Sequence, residues 1–180
     1  PSSAASDVYK RQELSKQRER SKQSTKIIAS DWIILNEQQG NDFCGYDKLS
    51  CDTKVNQYRN IRVNGKQVCQ IILNETPFYP EGGGQLGDTG LIEWGNNKSK
   101  FTDVQKVGNV LIHTIEGSIP PVGVEVTGII DDDRRSSLSR HHTATHLIGA
   151  AAREILGPHV WQAGASKSVD RARLDITHHR

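Results

Sequence analysis

Methionine is absent from all 180 residues, and the chain opens on Pro1. Loss of an initiator would explain that, as would excision from a longer reading frame; the second is the expectation adopted. Cysteine is scarce, and Cys44, Cys51 and Cys69 form no Cys-x-x-Cys pair. An odd, unpatterned set argues against a disulfide scaffold and for reduced, cytoplasmic thiols, and by spacing alone these are poor zinc ligands. No apolar run reaches signal-peptide or membrane length, so a membrane partner is not expected. Formal charge is only +2, so no global field draws the chain to RNA or lipid. Contact with nucleic acid needs a local patch. The hydrophobic fraction of 34% is low and implies that part of the chain lies outside any core.

That part is the start. Pro1 to Gln12 reads PSSAASDVYKRQ, lacks useful periodicity and resembles a translated cloning adaptor more than native sequence. Glu13 to Lys26 is rich in Lys, Arg, Gln and Glu, with Leu14 its only large apolar residue. Such a segment can be a solvated helix but cannot bury a face. Residues 1–29 are therefore assigned to a polar linker or tail, with an RNA-binding arm as the alternative.

From Ile27 the texture changes. Trp32 to Leu35 and Phe43 to Tyr46 are short apolar runs. Val55–Val63 and Lys66–Leu73 flank Asn64-Gly65, a dipeptide that tolerates two positive φ values, and read as a hairpin. Gly90 to Trp94, Phe101 to Gln105, Val110 to Ile115 and Val122 to Ile130 continue as short strands. This spacing predicts a small antiparallel barrel or sandwich over residues 30–131. Asp131-Asp132-Asp133 then caps a helix over Arg134 to Leu156, which Gly157-Pro158 stops. Leu138, His142, Thr145, Ala152 and Ile155 fall near one stripe of it, and strand or loop follows to Thr177.

Two stretches carry chemistry. On the helix, His142 and His146 stand at i and i+4, share a face, and can together offer half a zinc site. The bland alternative is a pair of satisfied polar side chains. His141 falls off that face, toward solvent or RNA, and Arg134, Arg135 and Arg140 form a basic cluster. That cluster reads equally as a salt-bridged surface or as a phosphate contact. The second stretch runs from Asn74 to Gly90, with Pro77 and Pro80 stiffening the approach to Gly82-Gly83-Gly84 and Gln85. It is not a phosphate-binding P-loop, because no Gly-Lys-Ser/Thr follows. A sharp turn and a ligand site both suit it.

Together the two stretches resemble the editing domain of alanyl-tRNA synthetases and of the freestanding AlaX deacylases. The matching residues are Thr76-Pro77-Phe78-Tyr79, Gly82 through Gly90, and His142-Thr143-Ala144-Thr145-His146-Leu147. His159 to Ala165 and Arg173 to His178 match as well, so the likeness covers roughly Ser30 to Arg180. It implies an α+β chain in which the barrel precedes the start of an α/β zinc-binding editing core, of the threonyl/alanyl-tRNA synthetase second additional domain type. That core would begin at residue 132 and be truncated at 180.

In the family this cleft hydrolyses Ser-tRNA(Ala) and Gly-tRNA(Ala), and the parent enzyme alanylates tRNA(Ala) with ATP. The resemblance implies zinc on His142 and His146, with two further ligands from a Cys-x-x-x-His motif that lies beyond the chain end. It implies catalytic roles for Thr76, near the aminoacyl group, and Gln85, orienting the ester or the attacking water. It leaves Arg134, Arg135 and Arg140 as RNA contacts. With two zinc ligands missing, weak or no deacylation is expected of these residues alone. A freestanding AlaX-type deacylase and a non-catalytic, zinc-stabilised tRNA-binding module are the alternatives.

Overall fold

The computed structural model of the chain describes residues 27–35, 41–63, 65–121 and 123–178. The tail before Ile27 with its Glu13–Lys26 segment, Asn64 of the expected turn, Val122 and His179 lie outside the described residues. Among these residues the fold is α+β, mostly antiparallel sheet with one long helix. The strands before the helix are β1 (Ile27–Ala29), β2 (Ile33–Ile34), β3 (Asp42–Phe43), β4 (Ser50–Val63), β5 (Lys66–Leu73) and β6 (Glu75–Thr76). They continue as β7 (Gly90–Trp94), β8 (Asn97–Val107), β9 (Val110–Glu116) and β10 (Glu125–Ile130). Helix α1 (Asp132–Leu156) and a hairpin of β11 (Trp161–Lys167) and β12 (Ala172–Thr177) complete the order.

Strand β4 organises the sheet. Its first half alternates, with Cys51, Thr53 and Val55 inside and Asp52 and Lys54 outside, as period-2 side chains require. Ser50 to Lys54 pair with β10, and Val55 to Val63 pair with β5. The register shifts between Val55 and Gln57, so the strand bends where it changes partner. Pairings run β4–β10–β7–β8–β9–β5 and return to β4. Strand β1 adds to β4 in the register Ile27↔Val63 to Ala29↔Ile61.

The inward positions make one core. Ile71, Leu73, Ile92, Phe101, Val104 and Ile115 are among those with no exposed surface, and Phe78 packs on Phe101 at 4.3 Å. Each such side chain contributes about 1.5–3 kcal/mol by leaving water.

Helix α1 begins two residues earlier than the sequence pattern suggests, because Asp131 is the cap. Its side chain accepts from the Arg134 N–H at 3.1 Å, and Asp132 and Asp133 oppose the macrodipole in the first turn. Only Leu138 and Thr145 are buried. The helix packs on β11 and β12, and what that hairpin does not cover stays wet: Ile155, on the same stripe as Leu138 by spacing, is 81% exposed. Among the described residues, no helix is long and apolar enough to cross a membrane.

Candidate functional site

The glycine-dense loop folds as a tight turn pinned on three sides. The N–H of Gly82 donates to the Gln85 carbonyl at 3.1 Å, and that of Gln85 to Gly82 at 2.9 Å. Gly83 and Gly84 sit between them at φ +56° and +76°, a conformation that side-chain-bearing residues rarely adopt. A Cβ at Gly84 would lie 2.0 Å from the Ala165 carbonyl oxygen, so β11 passes directly against the turn. The Leu86 N–H donates to the Lys167 carbonyl at 3.2 Å, and the Lys167 N–H donates to the Gly84 carbonyl at 2.7 Å. Lys167, 4% exposed, adds its ammonium to the Gly83 carbonyl at 2.8 Å.

The first turn of α1 secures the other end of the loop. Arg134 donates through Nε and Nη2 to the Gly87 carbonyl at 3.3 and 3.0 Å. Arg135 forks onto the carboxylate of Asp88, which is 1% exposed, and also donates to the Gly45 and Pro77 carbonyls at 2.6 and 2.9 Å. Asp88 in turn accepts from the Tyr79 N–H at 2.7 Å. The charge cluster thus resolves into separate jobs. Arg134 and Arg135 spend their donors on protein groups, whereas Arg140 is exposed and, among the described residues, donates to Ser137 Oγ alone, at 3.4 Å.

With both ends held, Gln85 meets the helix. Its Oε1 lies 3.0 Å from His142 Nδ1, and its side chain is buried. An amide oxygen only accepts, so Nδ1 carries the proton and Nε2 presents its lone pair. That lone pair faces His146, with Nε2 to Nε2 at 3.1 Å. Burial first, then His146 and Lys167, hold the His142 pKa below the ordinary imidazole range, which favours the neutral ligand form. His141 turns elsewhere: half-buried, it donates from Nδ1 to the Ser168 carbonyl at 2.7 Å, pinning the β11–β12 turn.

Thr76 is placed differently from Gln85. It has no exposed surface, and its Oγ1 lies 2.8 Å from Nε2 of His113 while accepting from the Phe78 N–H at 3.2 Å. His113 sits among Phe78 and Phe101, and full burial lowers its pKa to about 4. A neutral ring then donates from Nδ1 to the Ile71 carbonyl, at 3.4 Å, and accepts from Thr76. Nothing in the local sequence around His113 announced this pair. The partners of Lys167 and Asp88 were equally invisible, being 84 and 47 positions away.

Comparison with known proteins fits this frame. The model of a family described as tRNA synthetases class II (A) matches residues 4–134. The chain belongs to the alanyl-tRNA synthetase family. It is 49% identical to the alanine–tRNA ligase of Methanopyrus kandleri over 134 residues, 74% of this chain and 14% of that protein. Identity with the alanine–tRNA ligase of Saccharolobus islandicus is 54% over 114 residues, 61% of this chain and 13% of that protein. The Christiangramia forsetii alanine–tRNA ligase matches at 39% over 168 residues, 92% of this chain and 19% of its own length. The chain therefore spans less than a fifth of the length of these curated relatives.

Zinc is the metal that the family resemblance implies for the His pair, and the donors suit it in part. A tetrahedral ion with Zn–N bonds of about 2.0–2.1 Å needs its two nitrogens roughly 3.4 Å apart. The observed 3.1 Å is close to that, with the tautomer of His142 already set by Gln85. Among the described residues, no third His, Cys, Asp or Glu donor groups with the pair.

A different trio does converge. Cys44, Cys51 and Glu75 hold their donor atoms within 4.8 Å of one another, although their sequence spacing spoke against them.

Proposed function

We propose that this chain is part of an alanine–tRNA ligase that attaches alanine to tRNA(Ala) with ATP, and that it builds one wall of the centre removing serine and glycine from mischarged tRNA(Ala). On this reading, residues 30–131 are a small barrel, supported by the circuit of pairings that returns to β4, and residues 132–180 begin the zinc-binding editing core. The working compartment is the cytoplasm. The observation that carries the reading is the bond from Gln85 to His142, which draws the loop and the helical pair into one constellation.

Such a centre answers a physical shortfall. A pocket shaped for alanine discriminates against one methylene or one hydroxyl by only about 1–3 kcal/mol, so a second, hydrolytic selection is needed. In the proposed centre His142 and His146 hold zinc, and Gln85 keeps Nδ1 of His142 protonated and its ring oriented. Bound zinc supplies Lewis acidity toward an ester carbonyl or a water. Thr76 works from beneath, holding the start of the loop through Phe78 and His113; its hydroxyl reaches a serine substrate only if the His113 bond opens. Arg140 is the arginine left free for a phosphate.

The AlaX reading is the weaker one, because the relatives above bear the name of ligases. A non-catalytic, zinc-stabilised tRNA module draws support from one observation, the 3.1 Å approach of the His142 and His146 Nε2 atoms without a third donor grouped with them among the described residues.

The test is amino-acid release from Ser-tRNA(Ala) and Gly-tRNA(Ala) with zinc present. The expected result is binding of tRNA(Ala) with weak release by these 180 residues, and strong release once a segment bearing a Cys-x-x-x-His motif is joined after Arg180. Release by the joined protein should fall in both His142→Ala and Gln85→Leu. If the joined protein binds zinc and tRNA(Ala) without releasing either amino acid, the non-catalytic reading replaces this one.

A further inference from the structure

The convergence of Cys44, Cys51 and Glu75 is built by backbone. Cys44 follows β3, which runs parallel to β6 with Asp42 opposite Glu75, and its N–H donates to the Thr76 carbonyl at 2.9 Å. Glu75 is tied to β4 by its own N–H, which donates to Thr53 Oγ1 at 2.9 Å. Cys51 stands two residues earlier on that strand, its thiol directed at the Glu75 carbonyl at 3.7 Å. The turn after Cys44 closes through the N–H groups of Asp47 and Lys48, both donating to the Cys44 carbonyl, at 3.3 and 3.2 Å. That turn delivers Lys48 Nζ to 3.3 Å from Glu75 Oε1.

We propose that Cys44, Cys51 and Glu75 form a site for a thiophilic divalent cation, zinc being the best match, that clamps β4, β6 and the turn after β3. Two sulfurs among three donors disfavour calcium and magnesium, which take oxygen. Tetrahedral zinc with Zn–S near 2.3 Å and Zn–O near 2.0–2.2 Å places its donors roughly 3.5–3.8 Å apart. Donors already within 4.8 Å reach that separation by a shift of about 1 Å. Glu75 keeps 35% of its side chain exposed, so a water can complete the coordination.

Charge also balances. Binding releases both thiol protons to solvent, and two thiolates, a carboxylate, the dication and the Lys48 ammonium then sum to zero. Without a cation the thiols are poor nucleophiles: burial, followed by contacts with Cys44 and Glu75, raises the Cys51 pKa to about 12, and burial raises that of Cys44. A reactive-thiol role is correspondingly disfavoured.

Cobalt(II) distinguishes this site from the His pair, because thiolate ligands give an intense near-ultraviolet charge-transfer band that imidazole lacks. The experiment titrates the reduced 180-residue chain, carrying His142→Ala and His146→Ala, with cobalt. The expected result is one equivalent bound with the thiolate band and a raised melting temperature. The band should vanish in Cys44→Ser and survive in Cys69→Ser, whose thiol lies elsewhere in the core. Cys44 is the informative position because it is only half-buried, so its loss leaves the fold intact, checked by circular dichroism. A folded chain without the band, a band that persists in Cys44→Ser, or a Cys44–Cys51 disulfide that survives treatment with excess reductant overturns the proposal.

Discussion

Gln85 and His142, 57 positions apart in the chain, meet at 3.0 Å, and that contact decides which nitrogen of His142 faces His146. A side-chain oxygen on a rigid turn sets a tautomer on a helix. The proposed site is organised from the loop outward.

Replacing Gln85 by Leu keeps the volume and removes the acceptor. The His142 proton is then free to move to Nε2, and metal affinity at the His pair should fall about 10–100-fold, the usual cost of losing such a partner. Competition titration against a chelator, in a Cys44→Ser background that removes the thiol cluster, measures this. Unchanged affinity would show that the contact is incidental.

Asp88 and Arg135 tie the loop to the first turn of α1 in a nearly dry setting. Arg135→Leu leaves the Asp88 carboxylate buried without its cation and should cost about 3–5 kcal/mol. Urea unfolding reports it. Asp88→Asn together with Arg135→Leu should recover part of the loss, since no uncompensated charge remains.

His113 makes stability depend on pH. Its folded pKa of about 4 lies below the ordinary value of 6.5, so the unfolded chain binds the extra proton first as pH falls. The contribution is therefore complete above about pH 6.5 and drains away toward pH 4, by about 2 kcal/mol at pH 5. Unfolding free energies from urea titrations at pH 7 and pH 5 should separate by that amount more in the parent chain than in His113→Gln. Equal separations would mean that His113 is protonated in the fold or reached by water.

The two ends of the glycine run should differ in how well they tolerate a methyl group. Gly82→Ala meets open space at an ordinary φ and should change stability by less than about 1 kcal/mol. Gly84→Ala combines a positive φ with a Cβ 2.0 Å from the Ala165 oxygen, and should cost at least about 2 kcal/mol. Thermal melting of the two variants side by side checks the contrast.

Local pattern carried much of this protein. The strands Val55–Val63 and Lys66–Leu73, the Asp131 cap, the Gly157 stop and the four-residue spacing of His142 and His146 are all set by neighbours in sequence. Each depends on a backbone period or a capping bond that spans a few residues, so each was legible before any fold was known. Ile155 escaped that reading because periodicity says which residues share a face, not whether anything covers it. Only tertiary structure decided the rest. It gave Arg134 and Arg135 to the loop and left Arg140 free; it sealed Thr76 against His113, drew Lys167 onto Gly83, and gathered Cys44, Cys51 and Glu75. Those pairings join segments tens of residues apart, and they exist because strand pairing around β4 closes the chain on itself, which no local period encodes.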